Sequence, residues 1–338
     1  MKALNSSLEF SHFPVMLKEV VSLCSPKLGG NFVDCTFGGG GYSKELLKFK
    51  NTNIIAIDRD KLVAKKAEKI KNKFRDRFSF FLEKFSNIDK ILDKKKVDAI
   101  IFDLGVSSFQ LLDMSRGFSF KSKENLDMSM GLSSLSAKEI LNNYDEDHLK
   151  SILKVFGEEK EASKIVKNII KTRQLKKISK VSDLVEIIEK SKKKNYKSKI
   201  NICTKTFQAL RIFVNKEVTE LIEGMVKATQ FIKPGGKIII ISFHSIEDKI
   251  IKFYFKNYAK NQSNPSRYFP ESTKKKTIFF DDYRNNIIKP TKKEISINPP
   301  SRSAKLRYAI RNNENFEYPH DLIKKFKKYL DLESKNDQ

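Results

Sequence analysis

The sequence predicts an α/β fold, an open parallel sheet of the kind that binds nucleotides, interrupted by a block of helices. Three observations predict it. Asn31–Ser43 (N-F-V-D-C-T-F-G-G-G-G-Y-S) spells a short apolar strand, a glycine turn and a helix start. Three apolar runs end in acids, Asp34, Asp58 and Asp103, which places carboxylates along the sheet edge where open α/β folds bind ligands. From about Asp113 to Arg211 the strand signal disappears and helical periodicity replaces it, with apolar faces of its own to bury.

Taken in order, Ser11–Leu23 reads as a leading segment and a short helix, with Pro14 near its start. The glycine block Gly38–Gly41 follows the first strand. Glycine lets the backbone turn sharply and lets a ligand approach, and the next helix points free N–H groups at it. Asn53–Asp58 is a buried-type strand, and Asp58 lies near the offset of about 20 residues at which an acid takes a ribose hydroxyl pair. Asp60 is suited to cap the helix Lys61–Phe74. Arg77–Phe81 gives a third strand, with Phe85 placed to lie against an adenine or to fill core, and Val97–Asp103 a fourth. Within the helical block, Ser136–Glu139 has capping-box spacing, and Ala162, Ile165, Val166, Ile169 and Ile170 form a stripe. Glu217–Phe231 is helical, Lys233–Gly236 a turn and Lys237–Ser242 a strand leading into a helix to Phe255. Asn261–Lys276 reads as a basic loop, Ala304–Ile310 as a terminal strand and Asn312–Gln338 as a charged helical tail.

The 338 residues suit one large α/β domain with an insertion. No apolar run spans a membrane and no secretion signal is evident, so a soluble, cytoplasmic protein is expected. Cys24, Cys35 and Cys203 are widely spaced, which predicts reduced, buried thiols and neither disulfides nor a metal site. A formal charge of +26 would attract a polyanion such as nucleic acid. Part of that excess matches the Lys, Ile and Asn bias of an AT-rich genome, and runs such as Lys192–Lys194 and Lys274–Lys276 read as solvated faces.

A nicotinamide oxidoreductase would share the glycine loop and the acid after the second strand. The third acid and the loop order D-x-T-x-G-x-G-G, which departs from G-x-G-x-x-G, favour S-adenosylmethionine instead. Its ribose, adenine and cationic methionine end suit a cleft of carboxylates that would repel a pyrophosphate.

On these residues the chain resembles the RsmH (MraW) family of ribosomal RNA small-subunit methyltransferases. The blocks run in order: H-F-P-V-M-L-K-E from His12, D-C-T-F-G-G-G-G-Y-S from Asp34, A-I-D-R-D from Ala56 and D-L-G-V-S-S-x-Q-L from Asp103. They continue with R-G-F-S-F from Arg116, L-D-M-x-M from Leu126, T-F-Q-A-L-R from Thr206, S-F-H-S-x-E-D from Ser242 and S-R-S-A-K-L-R from Ser301. The resemblance implies a Rossmann-like class I S-adenosylmethionine-dependent methyltransferase core over residues 1–112 and 212–311. Residues 113–211 would be an all-helical substrate-recognition insertion and 312–338 a charged tail. It implies N4-methylation of a cytidine in the decoding region of 16S rRNA, with the small ribosomal subunit as partner, no membrane, no metal, and a homodimer left open. Cofactor contacts carry over to Gly40, Gly41, Tyr42, Asp58, Phe85, Asp103 and Gln110. The family usually has His where this chain has Tyr42, a change expected to be tolerated if that position acts mainly through its backbone.

Cytosine N4 is a poor nucleophile, so its amine must be aligned and its proton accepted. Asp103, Ser107, Ser108 and His244 are the candidates. Asn298-Pro299-Pro300-Ser301 echoes the N-P-P-aromatic loop of DNA amino-methyltransferases, but it lacks the aromatic and lies beyond the last core strand, so it is not expected to be that loop. Arg302, Lys305 and Arg307 are expected to contact RNA phosphates. A protein that binds RNA without catalysis is the alternative of a different class.

Overall fold

The computed structural model describes residues 14–193, 201–260, 277–285 and 287–335, with the side chain of Ser108 excepted. His12 and Phe13, the loop 261–276 with Lys274–Lys276, and Lys194 lie outside the described residues.

The first half alternates strand and helix. α1 (Leu17–Cys24) leads into β1 (Gly30–Asp34), α2 (Gly41–Leu46), β2 (Thr52–Asp58), α3 (Ala64–Phe74), β3 (Phe78–Leu82), α4 (Ile88–Leu92) and β4 (Val97–Asp103). After the short α5 (Ser108–Leu112) come α6 (Ala137–Asn143), α7 (Glu146–Gly157), α8 (Ala162–Leu175), α9 (Val181–Ser191), α10 (Thr204–Asn215) and α11 (Glu217–Phe231). β5 (Ile232–Ser242), α12 (Ser245–Asn257), α13 (Lys292–Ile297), β6 (Lys305–Ile310) and α14 (His320–Ser334) follow. No described helix is long and apolar enough to cross a membrane.

The strands form one sheet in the order β3-β2-β1-β4-β5-β6. All neighbours run parallel except β6, which pairs antiparallel with β5. The predicted turn Lys233–Gly236 falls inside β5. Val97 pairs with Ile232 and Ala99 with Lys237, so these residues bulge out of the ladder around Gly235, at φ +77°. The bulge is held by Gly235 N–H donating to Arg311 O at 2.7 Å and by Arg311 N–H donating to Gly236 O at 2.9 Å.

Both faces of the sheet are covered, and alternation along each strand divides the side chains between them. Ile239 and Ile241 join Phe32, Ile54 and Ile101 on the face covered by α1 to α3, while Ile238 and Ile240 join Val33, Ile57 and Phe102 on the other. That second core runs on without a break into the helical block, through Ile140, Phe156, Ile165, Leu184 and Phe213. The predicted stripe on α8 is buried at Ala162, Ile165, Val166 and Ile169, with Ile170 half-buried.

The C-terminal segment is more than a charged tail. α14 buries Leu322, Phe326, Leu332 and Glu333. Glu333 accepts from Val218 N–H at 3.0 Å and Thr219 N–H at 2.7 Å, supplying the cap that α11 lacks from its own Lys216.

Candidate active site

Strand order reverses between β1 and β4, and such a switch point opens a crevice beyond the carboxyl ends of the strands. Three of the predicted acids meet there. Asp34 faces inward and accepts from Ser43 Oγ at 2.7 Å, whereas Asp58 and Asp103 line the cavity.

Asp58 ends β2 and uses both oxygens on backbone. Oδ2 accepts from Gly38 N–H at 2.7 Å and Oδ1 from Asp60 N–H at 2.8 Å, so one carboxylate holds both the glycine loop and the turn after β2. Desolvation pushes it up to about 6 against those two N–H groups. Gly38 has φ +49°, and a Cβ there would meet nothing closer than Thr36 O at 3.8 Å, so the backbone is uncrowded on the cavity side. Gly41 lines the cavity, and a Cβ on it would come within 2.6 Å of Pro14. Gly40 does not line it. Its Cα faces the Phe37 ring and Ile70, where a Cβ would come within 2.7 and 2.8 Å, so this predicted contact is a packing glycine with φ +70°.

Phe85 lines the cavity after β3 and stands edge-on to Phe102, with centroids 5.3 Å apart. Gln110 lines it too, yet its side chain is engaged: Nε2 donates to Asp60 Oδ2 at 2.9 Å and Oε1 accepts from Ser107 N–H at 2.9 Å. Ser107 completes this capping box as the N-cap of α5 while lining the cavity. Burial would raise Asp60, but Arg116 and Gln110 outweigh it and hold the carboxyl below its usual range.

Asp103 ends β4, its N–H donating to Thr36 Oγ1 at 2.7 Å. Oδ2 lies 3.1 Å from the Tyr42 hydroxyl, while Oδ1 is buried without a hydrogen-bond partner among the described residues. Tyr42 is only 2 % exposed, and its hydroxyl also lies 2.5 Å from Val15 O. Desolvation pushes Asp103 up to about 8, with Asp34, Glu247 and Glu294 adding to the rise and Tyr42 opposing it. The proton count agrees. A hydroxyl has one hydrogen for two acceptors, and a protonated Asp103 satisfies both by donating to the Tyr42 oxygen while Tyr42 donates to Val15 O. The Tyr42 side chain is thus engaged with Asp103 and Val15, where the sequence reading expected mainly a backbone contact.

The remaining wall comes from the later part of the chain. Phe243 and Glu247 line it, Phe243 N–H donating to Glu247 Oε2 at 2.8 Å. His244, a candidate base, does not line the cavity. It caps α12, and its Nε2 lies 3.0 Å from Glu247 Oε1 without hydrogen-bond alignment. Glu217, His244 and Glu247 bring three donor atoms within 4.8 Å of one another. Arg211 already grips Glu217 through two bonds of 2.8 Å, so the group reads as a compensated ionic network.

Asn298 and Pro300 of the N-P-P segment also line the cavity. Asn298 ends α13, its N–H donating to Glu294 O at 2.7 Å and its carbonyl accepting from Ser301 N–H at 3.0 Å. Glu294 Oε1 accepts from Met16 N–H at 2.6 Å, pinning α13 against the segment that Tyr42 touches. Glu217, Glu220, Glu247 and Asn298 escaped the sequence reading. Acids in the first turn of a helix look like ordinary helix-end charges, and only the E of S-F-H-S-x-E-D and the N-P-P dipeptides carried a signal.

Of the predicted phosphate contacts, Arg307 is a correction. It is 2 % exposed, donating from Nε to Asp248 Oδ1 at 2.8 Å and from a terminal nitrogen to Tyr283 and Asn285, both at 2.9 Å. Lys305 is tied to the same Asp248 at 2.9 Å, and Arg302 is exposed. Lys192 is likewise structural, bonded to Glu159 Oε2 at 2.7 Å.

Six acids and one arginine line the cavity of a chain whose net charge is +26. Such a surface repels phosphates and favours a cation. The model of the MraW methylase family matches residues 9–312. Ribosomal RNA small subunit methyltransferase H of Ehrlichia canis (strain Jake) is 40% identical over 304 residues, covering 89% of this chain and 99% of that protein. The protein of the same name from Ehrlichia ruminantium (strain Welgevonden) is 41% identical over 305 residues, covering 89% and 99%. That from Rickettsia bellii (strain RML369-C) is 40% identical over 299 residues, covering 88% and 98%.

Proposed function

The chain belongs to the MraW methylase family, and on that premise we propose that it methylates N4 of a cytidine in the decoding region of 16S rRNA, using S-adenosylmethionine. Methylation of small-subunit ribosomal RNA follows from the family. Supporting the finer reading is one observation above the rest: Asp103, whose Oδ1 is buried without a hydrogen-bond partner among the described residues, lines a cavity whose charge suits a cationic cofactor.

The residues present fit that cofactor. A side chain at Gly38 would meet only ordinary contacts, Asp58 stands at the ribose offset, Phe85 lines the cavity with an aromatic ring, and the wall is acidic. When bound, S-adenosylmethionine supplies an electrophilic methyl group on a sulfonium. Asp103 Oδ1 can accept an N–H of the target amine and afterwards hold the proton that N4 loses as its bond to carbon forms. A neighbouring cation favours the carboxylate form of Asp103, countering the desolvation that keeps it protonated otherwise. Tyr42 holds Oδ2, and Asn298 lines the cavity that Asp103 enters. Arg302 is the exposed cation left for phosphate contact.

The test is methyl transfer from labelled cofactor to small subunits from a strain lacking the enzyme, followed by mapping of the modified nucleotide. N4-methylcytidine in the decoding region is expected. Label confined to another base, or to protein, would overturn the reading.

A further inference from the structure

Glu220 has no assigned role, yet it is the second acid in the cavity with a bare oxygen. It is 6 % exposed, and its Oε2 is buried without a hydrogen-bond partner among the described residues. Its other oxygen lies 3.8 Å from Lys84 Nζ, within ion-pair range but beyond a hydrogen bond. A buried carboxylate oxygen left unpaired is costly, and in a ligand cavity that cost is recovered when a donor arrives.

The neighbours of Glu220 say which donor. It sits in the first turn of α11, and Gly224, one turn later on the same helix face, lets the Phe85 ring pack against the helix. A Cβ at position 224 would come within 2.6 Å of that ring. Lys84, the residue before Phe85, lies within ion-pair range of Glu220. Glu220 is therefore tied to the Phe85 end of the cavity and not to the end held by Asp103 and Tyr42. S-adenosylmethionine carries three kinds of hydrogen-bond donor: ribose hydroxyls, the methionine ammonium and the exocyclic amine of adenine. The ribose belongs with Asp58, and the ammonium belongs with the sulfonium end. The adenine amine is the donor left for the Phe85 end.

We propose that Glu220 is the residue that selects adenine, accepting a hydrogen bond from the exocyclic 6-amine of the cofactor. This rests on the cofactor reading above. A carboxylate can only accept, so it attracts a 6-amino group and repels a 6-oxo group. Glutamine at the same place offers both an acceptor and a donor.

The measurement is calorimetric affinity of the full-length protein for two probes, S-adenosylhomocysteine and its 6-oxo counterpart, S-inosylhomocysteine. The wild-type protein should prefer the adenosyl compound by about 10–100-fold, the range of a hydrogen bond to a charged group. Glu220→Gln should shrink that ratio at least several-fold, by weakening the adenosyl compound and strengthening the inosyl one. Equal wild-type affinities, or a ratio unmoved by the substitution, would overturn the assignment while leaving the cofactor reading intact. Failure of the wild-type protein to bind either probe would overturn both. The wild-type ratio needs no variant, so poor folding of Glu220→Gln would not remove the test.

Discussion

Asp58 and Asp103 close the two strands that flank β1, and both line one cavity, yet they are held in opposite ways. Asp58 places both oxygens on backbone N–H groups. Asp103 has a single hydroxyl on one oxygen and, among the described residues, no hydrogen-bond partner on the other. Two N–H donors favour the charged form and fix the group as a strut; one shared hydroxyl leaves the proton to be decided by whatever enters. The same residue type at equivalent strand ends thus builds the loop in one place and is left available for chemistry in the other.

Asparagine at 103 should have the largest effect, a fall in kcat of about 10²–10⁴-fold, the usual worth of a positioned base. Calorimetric affinity for S-adenosylhomocysteine should change only a few-fold. Near-normal turnover would erase the distinction between the two acids.

Alanine at 58 should act the other way round. With the glycine loop unsupported, KM for the cofactor should rise about 10–100-fold while kcat falls far less. A collapse of kcat at saturating cofactor would make Asp58 chemical as well.

Thermal unfolding of the ligand-free protein sharpens the contrast. Asp58 sits at about 6 and Asp103 at about 8 when folded, both above their unfolded values near 4, so the folded state holds extra protons between pH 4 and 8. Stability is therefore full at low pH and lost as pH rises through those values, with Asp34, about 6, and Glu333, about 8, adding to the same slope. Tm should fall from pH 5 to 9. Asp58→Asn should flatten only the part of that fall below about pH 6, whereas Asp103→Asn should flatten it up to about pH 8; flattening confined to the same range in both would contradict the comparison.

The smallest effect expected is that of Tyr42→Phe. The hydroxyl opposes the rise of Asp103, so removing it should move the ascending limb of the pH–rate profile to higher pH without loosening S-adenosylhomocysteine. An unmoved limb would take Tyr42 out of the pair.

The strands were legible because buried parallel strands are uniform apolar runs and each ends where the polar edge begins: Val97–Asp103 was delimited to the residue. Asp58, Phe85 and Asp103 could be read because their place in the cavity follows from that local order. Gly40 could not be separated from its neighbours, since a glycine needed for a turn and one needed for a ligand look alike. Arg307 looked like a phosphate contact because sequence shows a charge and hides Asp248, which lies far along the chain. Asn298 was visible only as part of an N-P-P motif and its place in the cavity wall was not, because α13 is held by the grip of Glu294 on Met16, far along the chain.

That order of assembly has a temporal side. Chains emerge N-terminus first, and β1 to β4, with the glycine loop and both acids, come out early. The walls that complete the cavity come late, Asn298 with α13 and the Glu333 cap on α11 with the last helix. A nascent chain lacking only α14 would hold every strand of the sheet while the helix bearing Glu217 and Glu220 still lacked its cap. The acidic wall of the cavity on α11 is thus capped only after the whole sheet has been made.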